Sequence, residues 1–296
     1  MTALEQQAPV AAAAPAAPPA PTQRRQRRRP SGWHFVLAPI AVIFAIPFVQ
    51  MFLTSVTPAA DINKFPRDFF PSALTLDGYA KLFQTSDIVL WLGNTTIVSV
   101  TAIVSHIVLC SLAGYGFARL SFRGRTFGFL AIIGTIMIPT QLLMIPTYIL
   151  FSRIGLIDSL GAAIVPWLAS AFGIFLMRQF FISLPAELEE AALIDGCTRL
   201  QVFFRIILPL ARPAIATLAI FTLLGSWNDL VWPLIAINND QAFTLQLGIT
   251  SFQGSRRTEW SLLMAGNVIA TLPLIVFFLF AQKQFIATMS FSGLKG

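Results

Sequence analysis

The chain is short of charge, histidine and cysteine, and each shortage closes a class of function. Only 11% of its 296 residues are charged, against 56% apolar and a mean hydropathy of +0.73. A soluble domain of this size needs more charge to cover its surface, so the sequence reads as an integral membrane protein. Its two cysteines, Cys110 in an apolar segment and Cys197 in a polar one, suit neither a disulfide framework nor a metal site. With only two histidines, clustered His, Cys or carboxylates at catalytic spacing are missing, and neither catalytic nor metal-ligating residues are expected. The pattern GxxxxGK[ST] is also missing, so the chain has no phosphate-cradling loop with which to hydrolyse ATP.

The charge that is present is distributed unevenly. The net +7 does not mark a nucleic-acid partner, because the basic residues follow the membrane segments. Residues 1–32 are rich in Ala and Pro and contain the run RRQRRRP, so they read as a disordered basic tail. The arginines Arg24, Arg25, Arg27, Arg28 and Arg29 imitate a secretory or twin-arginine signal. The apolar stretch after them, Phe35 to Val56, is too long for a signal core and lacks a convincing small-residue cleavage pattern. It is expected to stay as a first transmembrane helix.

Residues 33–296 form the membrane domain, and the expected class is all-α. Five more apolar stretches, about 90–117, 127–150, 160–182, 213–237 and 263–285, are long enough to cross about 30 Å of hydrocarbon. Six spans put both termini on one side. With the N-terminus inside, 14 of the 20 basic residues face the cytoplasm, leaving Lys64, Arg67, Lys81, Arg153, Arg256 and Arg257 outside. Both termini and the 183–212 stretch are therefore expected in the cytoplasm. Pro39, Pro47, Pro139, Pro146, Pro166, Pro233 and Pro273 interrupt the spans, either as kinks around a pathway or as ordinary membrane-helix prolines.

The 183–212 stretch is the longest polar interruption between two apolar segments, and its local grammar is strong. Pro185 with Glu187, Glu189 and Glu190 marks a helix start. Leu188, Ala191 and Ala192 lie on one face of that helix. Gly196 can take the positive φ that stops it. Thr198 with Gln201 is a capping-box pair, so a second helix, Leu200 to Leu208, is expected to end before Pro209. A helix, a corner and a helix suggest a docking surface. A loop resting on lipid would instead carry Lys and Arg on its polar face, whereas the first helix carries acids.

One segment ties this grammar to a family. Glu190-Ala-Ala-Leu-Ile-Asp-Gly196, nine further residues, and Ile206-Ile-Leu-Pro209 resemble the EAA loop of ABC-importer permeases at every fixed position. Asn94-Thr95, Ala113-Gly-Tyr-Gly-Phe-Ala-Arg119, Ile138-Pro-Thr-Gln-Leu-Leu-Met-Ile-Pro146, Phe175-Leu-Met-Arg-Gln-Phe-Phe181, Trp227-Asn-Asp229 and Gly293-Leu-Lys-Gly296 resemble the carbohydrate-uptake branch. Within it, they are most similar to the smaller membrane subunit of maltose-type importers. The resemblance covers residues 33–296. The basic tail has no counterpart, and Cys197 stands where Ala is more usual.

The resemblance implies a translocation subunit moving a sugar or oligosaccharide across the bacterial cytoplasmic membrane. Its partners would be a second homologous permease, two ATP-binding subunits and an extracytoplasmic solute-binding protein. The chain itself would hold no cofactor, with ATP and magnesium bound by the ATPase partners. Glu190, Ala191, Ala192, Asp195, Gly196, Leu208 and Pro209 would belong to the ATPase-coupling loop. Ionisable groups inside spans are functional candidates by default. Asp229, with Trp227 and Asn228, offers a ring and hydrogen-bonding groups for a sugar, and Asn94 is a further pathway candidate. The alternative, an ion-coupled secondary transporter, would want several intramembrane acids and a visible repeat. Asp229 is nearly alone, and no clear repeat is seen.

Overall fold

The computed structural model describes residues 32–64, 69–254 and 258–292, with side chains only up to 279 and not at His34. The expected tail, apart from Gly32, lies outside the described residues, as do Arg67, Arg256, Arg257 and the closing Gly293–Gly296. Among the described residues every regular element is helical, apart from one isolated bridge between Gln253 and Thr258. The chain divides into compact units Met1–Ile46 and Pro47–Gly296. In the first, the described residues are Gly32 and the start of helix α1 (Trp33–Ser55), an apolar and largely exposed helix suited to lipid.

The second unit continues with short helices α2 (Ala59–Ile62) and α3 (Asp77–Thr85), then α4 (Ile88–Arg119), which contains a π-helical turn at His106–Cys110. Next come α5 (Arg125–Thr135) and α6 (Thr140–Arg153), then α7 (Leu160–Ile164), a 3-10 turn at Val165–Trp167, and α8 (Ala171–Ser183). The 183–212 stretch holds α9 (Glu187–Ile194) and α10 (Arg199–Leu210), and α11 (Arg212–Trp227) follows. The chain ends with α12 (Val231–Ala236), α13 (Leu245–Thr250) and the long α14 (Trp260–Ser292).

Four helical stretches are long and apolar enough to cross a membrane: Phe35–Ser55, Ile88–Arg119, Leu160–Ser183 and Trp260–Leu279. Two bent pairs also qualify. The pair α5 and α6 turns through 99°, and α10 and α11 through 76°. The expected third span is thus sharply broken around Ile136 to Pro139. Proline lacks an N–H and disfavours helix in the residue before it, so Ile138–Pro139 is a natural breaking point. The expected fifth span is interrupted too, because α11 ends at Trp227 and α12 begins at Val231. Short polar side chains offer the backbone competing hydrogen bonds there: Asn228 Nδ2 donates to the Leu224 carbonyl at 2.8 Å.

The second helix of the 183–212 stretch also differs from expectation. It does not stop before Pro209 but runs to Leu210, through a π-helical turn at Phe203–Ile207. The wider turn shifts the hydrogen-bonding pattern, so a residue without an N–H fits where a regular helix would break. The chain then bends at Ala211, ahead of Pro213 in the first turn of α11.

Two apolar cores lie at opposite ends of α4. One gathers Trp91 with Leu223, Trp227, Leu245, Ile249 and Leu262. The other gathers Tyr115 with Met177, Phe181, Ala192, Val202, Phe203 and Ile207. Trp91 and Tyr115 are 24 residues apart on one helix, which at 1.5 Å per residue is about 36 Å.

Candidate functional site

The corner between α9 and α10 is built from its sequence with little outside help. Gly196 adopts φ +85°. The Gly196 N–H donates to the Leu193 carbonyl and the Cys197 N–H to the Ala192 carbonyl, at 3.1 and 3.0 Å. That pair of bonds is a Schellman stop, which satisfies carbonyls the helix end would orphan. The capping box forms as well, with the Gln201 N–H donating to Thr198 Oγ1 and the Thr198 N–H to Gln201 Oε1 at 2.7 Å.

The corner is attached through one buried polar cluster. Glu189 rather than Glu190 turns inward, and its side chain is only 8% exposed. Arg119 Nε lies 2.8 Å from Glu189 Oε1, an ion pair without the straight geometry of a hydrogen bond. The Tyr115 hydroxyl donates to Glu189 Oε2 at 3.0 Å. A second guanidinium nitrogen of Arg119 donates to the carbonyls of Phe181 and Leu184, at 2.8 and 2.5 Å. A cation on the last carbonyls of α8 is where the helix dipole favours it. Around these groups the Tyr115 ring meets Phe181 and Phe203, with centroids 6.0 and 5.0 Å apart. The ends of α4 and α8 therefore meet α9 and α10 at one point.

Close backbone approach makes this meeting possible. A Cβ at Gly114 would lie 2.8 Å from Met177 Cβ and 2.9 Å from the Arg178 nitrogen, so only glycine lets α4 and α8 pack here. On the other side of the stretch, large apolar groups stay uncovered. Ile194 is 86% exposed and Leu200 66%. Glu190, Ala191, Asp195, Gly196 and Pro209 are exposed as well, Leu208 is half-buried and Ala192 is buried. The sequence shows Tyr115 and Arg119 on one helix face four residues apart. It carries no signal for their partner Glu189, which is 70 residues further along.

The four pathway candidates separate. Asp229, in the break between α11 and α12, lines a cleft of about 470 Å³ with His106, Thr140, Thr147, Trp167 and Ser170. The Trp167 indole N–H donates to Asp229 Oδ2 at 3.0 Å. Trp167, which sequence reasoning did not single out, comes from the 3-10 turn ahead of α8, and Thr140 from the broken end of α6. Trp227 instead faces the core and donates to the Ala270 carbonyl at 3.0 Å. Asn94 is buried and donates to the carbonyls of Gln241 and Phe243, both at 2.9 Å. Asn228 is exposed and caps the end of α11.

Comparison with known proteins places this architecture. The family described as "Binding-protein-dependent transport system inner membrane component" matches residues 107–290. The arabinooligosaccharides transport system permease protein AraQ of Halalkalibacterium halodurans is 35% identical over 260 residues, 87% of this chain and 93% of that one. The lactose transport system permease protein LacG of Rhizobium radiobacter is 32% identical, over 86% and 92% of the two chains. A chain from the crystal structure of a bacterial ABC transporter that imports the acidic polysaccharide alginate shares the fold, with a TM-score of 0.75. It is 23% identical over 84% of this chain and 93% of that one. On this evidence the chain belongs to the inner membrane components of binding-protein-dependent transport systems, the non-catalytic permease subunits of ABC importers.

Proposed function

We propose that this chain is the translocation subunit of a sugar or oligosaccharide importer, with six spans, both termini in the cytoplasm of a bacterium, and residues 183–212 as its ATPase-coupling loop. The observation that carries the reading is the outward face of α9 and α10. A Schellman stop and a capping box hold it rigid, yet it leaves Ile194 and Leu200 uncovered. An exposed apolar surface on a rigid support fits a protein partner. Since the sequence has no phosphate-binding loop, that partner would supply the energy: two ATP-binding subunits that hold ATP and magnesium. Glu190, Ala191, Ala192, Asp195, Gly196, Leu208 and Pro209 belong to this loop, with the exposed ones meeting the ATPase. A second homologous permease and an extracytoplasmic solute-binding protein complete the assembly, and residues 1–32 form its basic tail.

The cargo reading follows from relatives named for arabino-oligosaccharides and lactose, together with the chemistry of the cleft. An indole ring can stack on the C–H face of a sugar, while a carboxylate and three hydroxyls, of Thr140, Thr147 and Ser170, can take its OH groups. We assign Asp229 to the pathway itself, with Trp227, Asn228 and Asn94 bracing the helices that frame it. Uptake by vesicles carrying Asp229→Asn should fall about tenfold, the scale of one lost charged hydrogen bond. Asn228→Ala should leave it within about twofold, because it removes a neutral, exposed one. Wild-type uptake by Asp229→Asn would remove Asp229 from the pathway.

A further inference from the structure

We propose that Glu189, Arg119 and Tyr115 are the pin through which movement of the 183–212 stretch becomes movement of α4 and α8, which makes Arg119 and Glu189 positioning residues for transport. The proposal rests on reading that stretch as the segment that meets the ATPase. Its own evidence is the convergence of three chain segments on one guanidinium. Arg119 ends α4, its terminal nitrogen holds the Phe181 and Leu184 carbonyls at the end of α8, and its Nε faces Glu189 on α9. The rigid, planar fork of arginine can hold these partners at fixed angles, which a lysine ammonium cannot. Tyr115 closes the cluster from one turn earlier on α4, and its ring rests on Phe203 of α10. Both helices of the corner are therefore seated on the same residue pair.

A buried ion pair is a poor way to gain stability, because apolar groups of similar volume often do as well. What the pair supplies that apolar packing does not is a single register. Rings of Phe181 and Phe203 could slide past Tyr115, but moving the Glu189 carboxylate would take it from its phenol donor and leave a buried charge without its counter-ion. A second tie reinforces this end of the bundle. Arg178 of α8 donates to the Phe117 carbonyl at 3.1 Å, and its guanidinium lies 4.0 Å from the centre of the Phe129 ring on α5. The corner, α4 and α8 should then move as one body when the docked subunit moves.

The test uses the whole transporter with Cys110 and Cys197 replaced by serine and spin labels at Ile194→Cys and Leu112→Cys. Distances are read without nucleotide and with ATP trapped, so no sugar is needed. In the wild-type background the label separation should stay within about 2 Å between the two states, the scale of helix shifts at moving interfaces. With Glu189→Gln it should change by more than that, or broaden. Where Glu189→Gln is not recovered in the membrane, Tyr115→Phe keeps the ion pair, loses one bond, and should show a smaller broadening. A wild-type separation that changes with ATP, or variants whose distributions match the wild type in both states, would overturn the pin. Failure of any ATP-binding subunit to copurify with the wild-type chain would instead defeat the docking reading beneath it.

Discussion

The two ends of α4 are finished in different ways. Around Trp91, polar side chains mostly hold backbone, although Ser226 donates to Ser99 Oγ at 3.1 Å. Asn94 holds the Gln241 and Phe243 carbonyls, Thr95 Oγ1 accepts from the Leu245 N–H at 2.7 Å, and Trp227 holds the Ala270 carbonyl. The first three fix the 241–245 segment to α4, and the last ties α11 to α14. Around Tyr115 the polar side chains hold one another as well as helix ends, and the outer surface carries uncovered Leu188, Ile194, Leu200 and Phe204. One end is tied together by separate bonds from single side chains. The other seats two helices of an exposed corner on one buried ion pair, as a docking joint would need.

The largest expected effect is at the joint's closest approach. Gly114→Val should cost about 3 kcal/mol, the upper range for overpacking, because its Cβ would meet backbone as well as the Met177 side chain. Thermal unfolding of the purified chain would show it, together with loss of the copurifying ATPase. A near wild-type melting temperature would mean that α4 and α8 can separate without damage, which removes the contrast between the two ends. Next is Gly196→Val. A β-branched residue at φ +85° is strained by about 1–2 kcal/mol, and nothing lies within 4 Å to clash with it. Membrane insertion should be normal, while sugar uptake falls and ATP hydrolysis continues. Unchanged uptake would show that the corner's shape is not needed for coupling.

What the sequence made legible was local. Helix starts and stops around Glu187, Gly196 and Thr198 depend on residues within five positions of each other, and the structure holds them with the bonds their types imply. The apolar stretches were legible because a span is a run of composition. What stayed hidden depended on distance along the chain. Along the sequence Glu189 is one of three first-turn acids, and only the packing of α9 against the end of α4, which sets its carboxylate on Arg119 and Tyr115, picks it out. Along the sequence Trp167 is one more apolar residue in a span, and only the 3-10 turn at Val165–Trp167 sets its indole against Asp229. The end of α10 runs past Pro209 because a π-helical turn spares the proline from breaking the helix, and no residue pattern in 203–207 announces such a turn. Composition puts Asp229 in a continuous span, whereas it sits in a gap between two helices, which is what lets its carboxylate reach the cleft.

A crosslink tests most directly whether the 183–212 corner is the surface that meets the ATP-binding subunit. With Cys110 and Cys197 replaced by serine, a single cysteine at Ile194 and, separately, one at Asn228 can each carry a short photoreactive probe in the assembled transporter. Both positions are exposed in the isolated chain, so accessibility alone does not separate them. The Ile194 probe should capture the ATP-binding subunit and the Asn228 probe should not. Capture from neither position, or equally from both, would contradict that assignment.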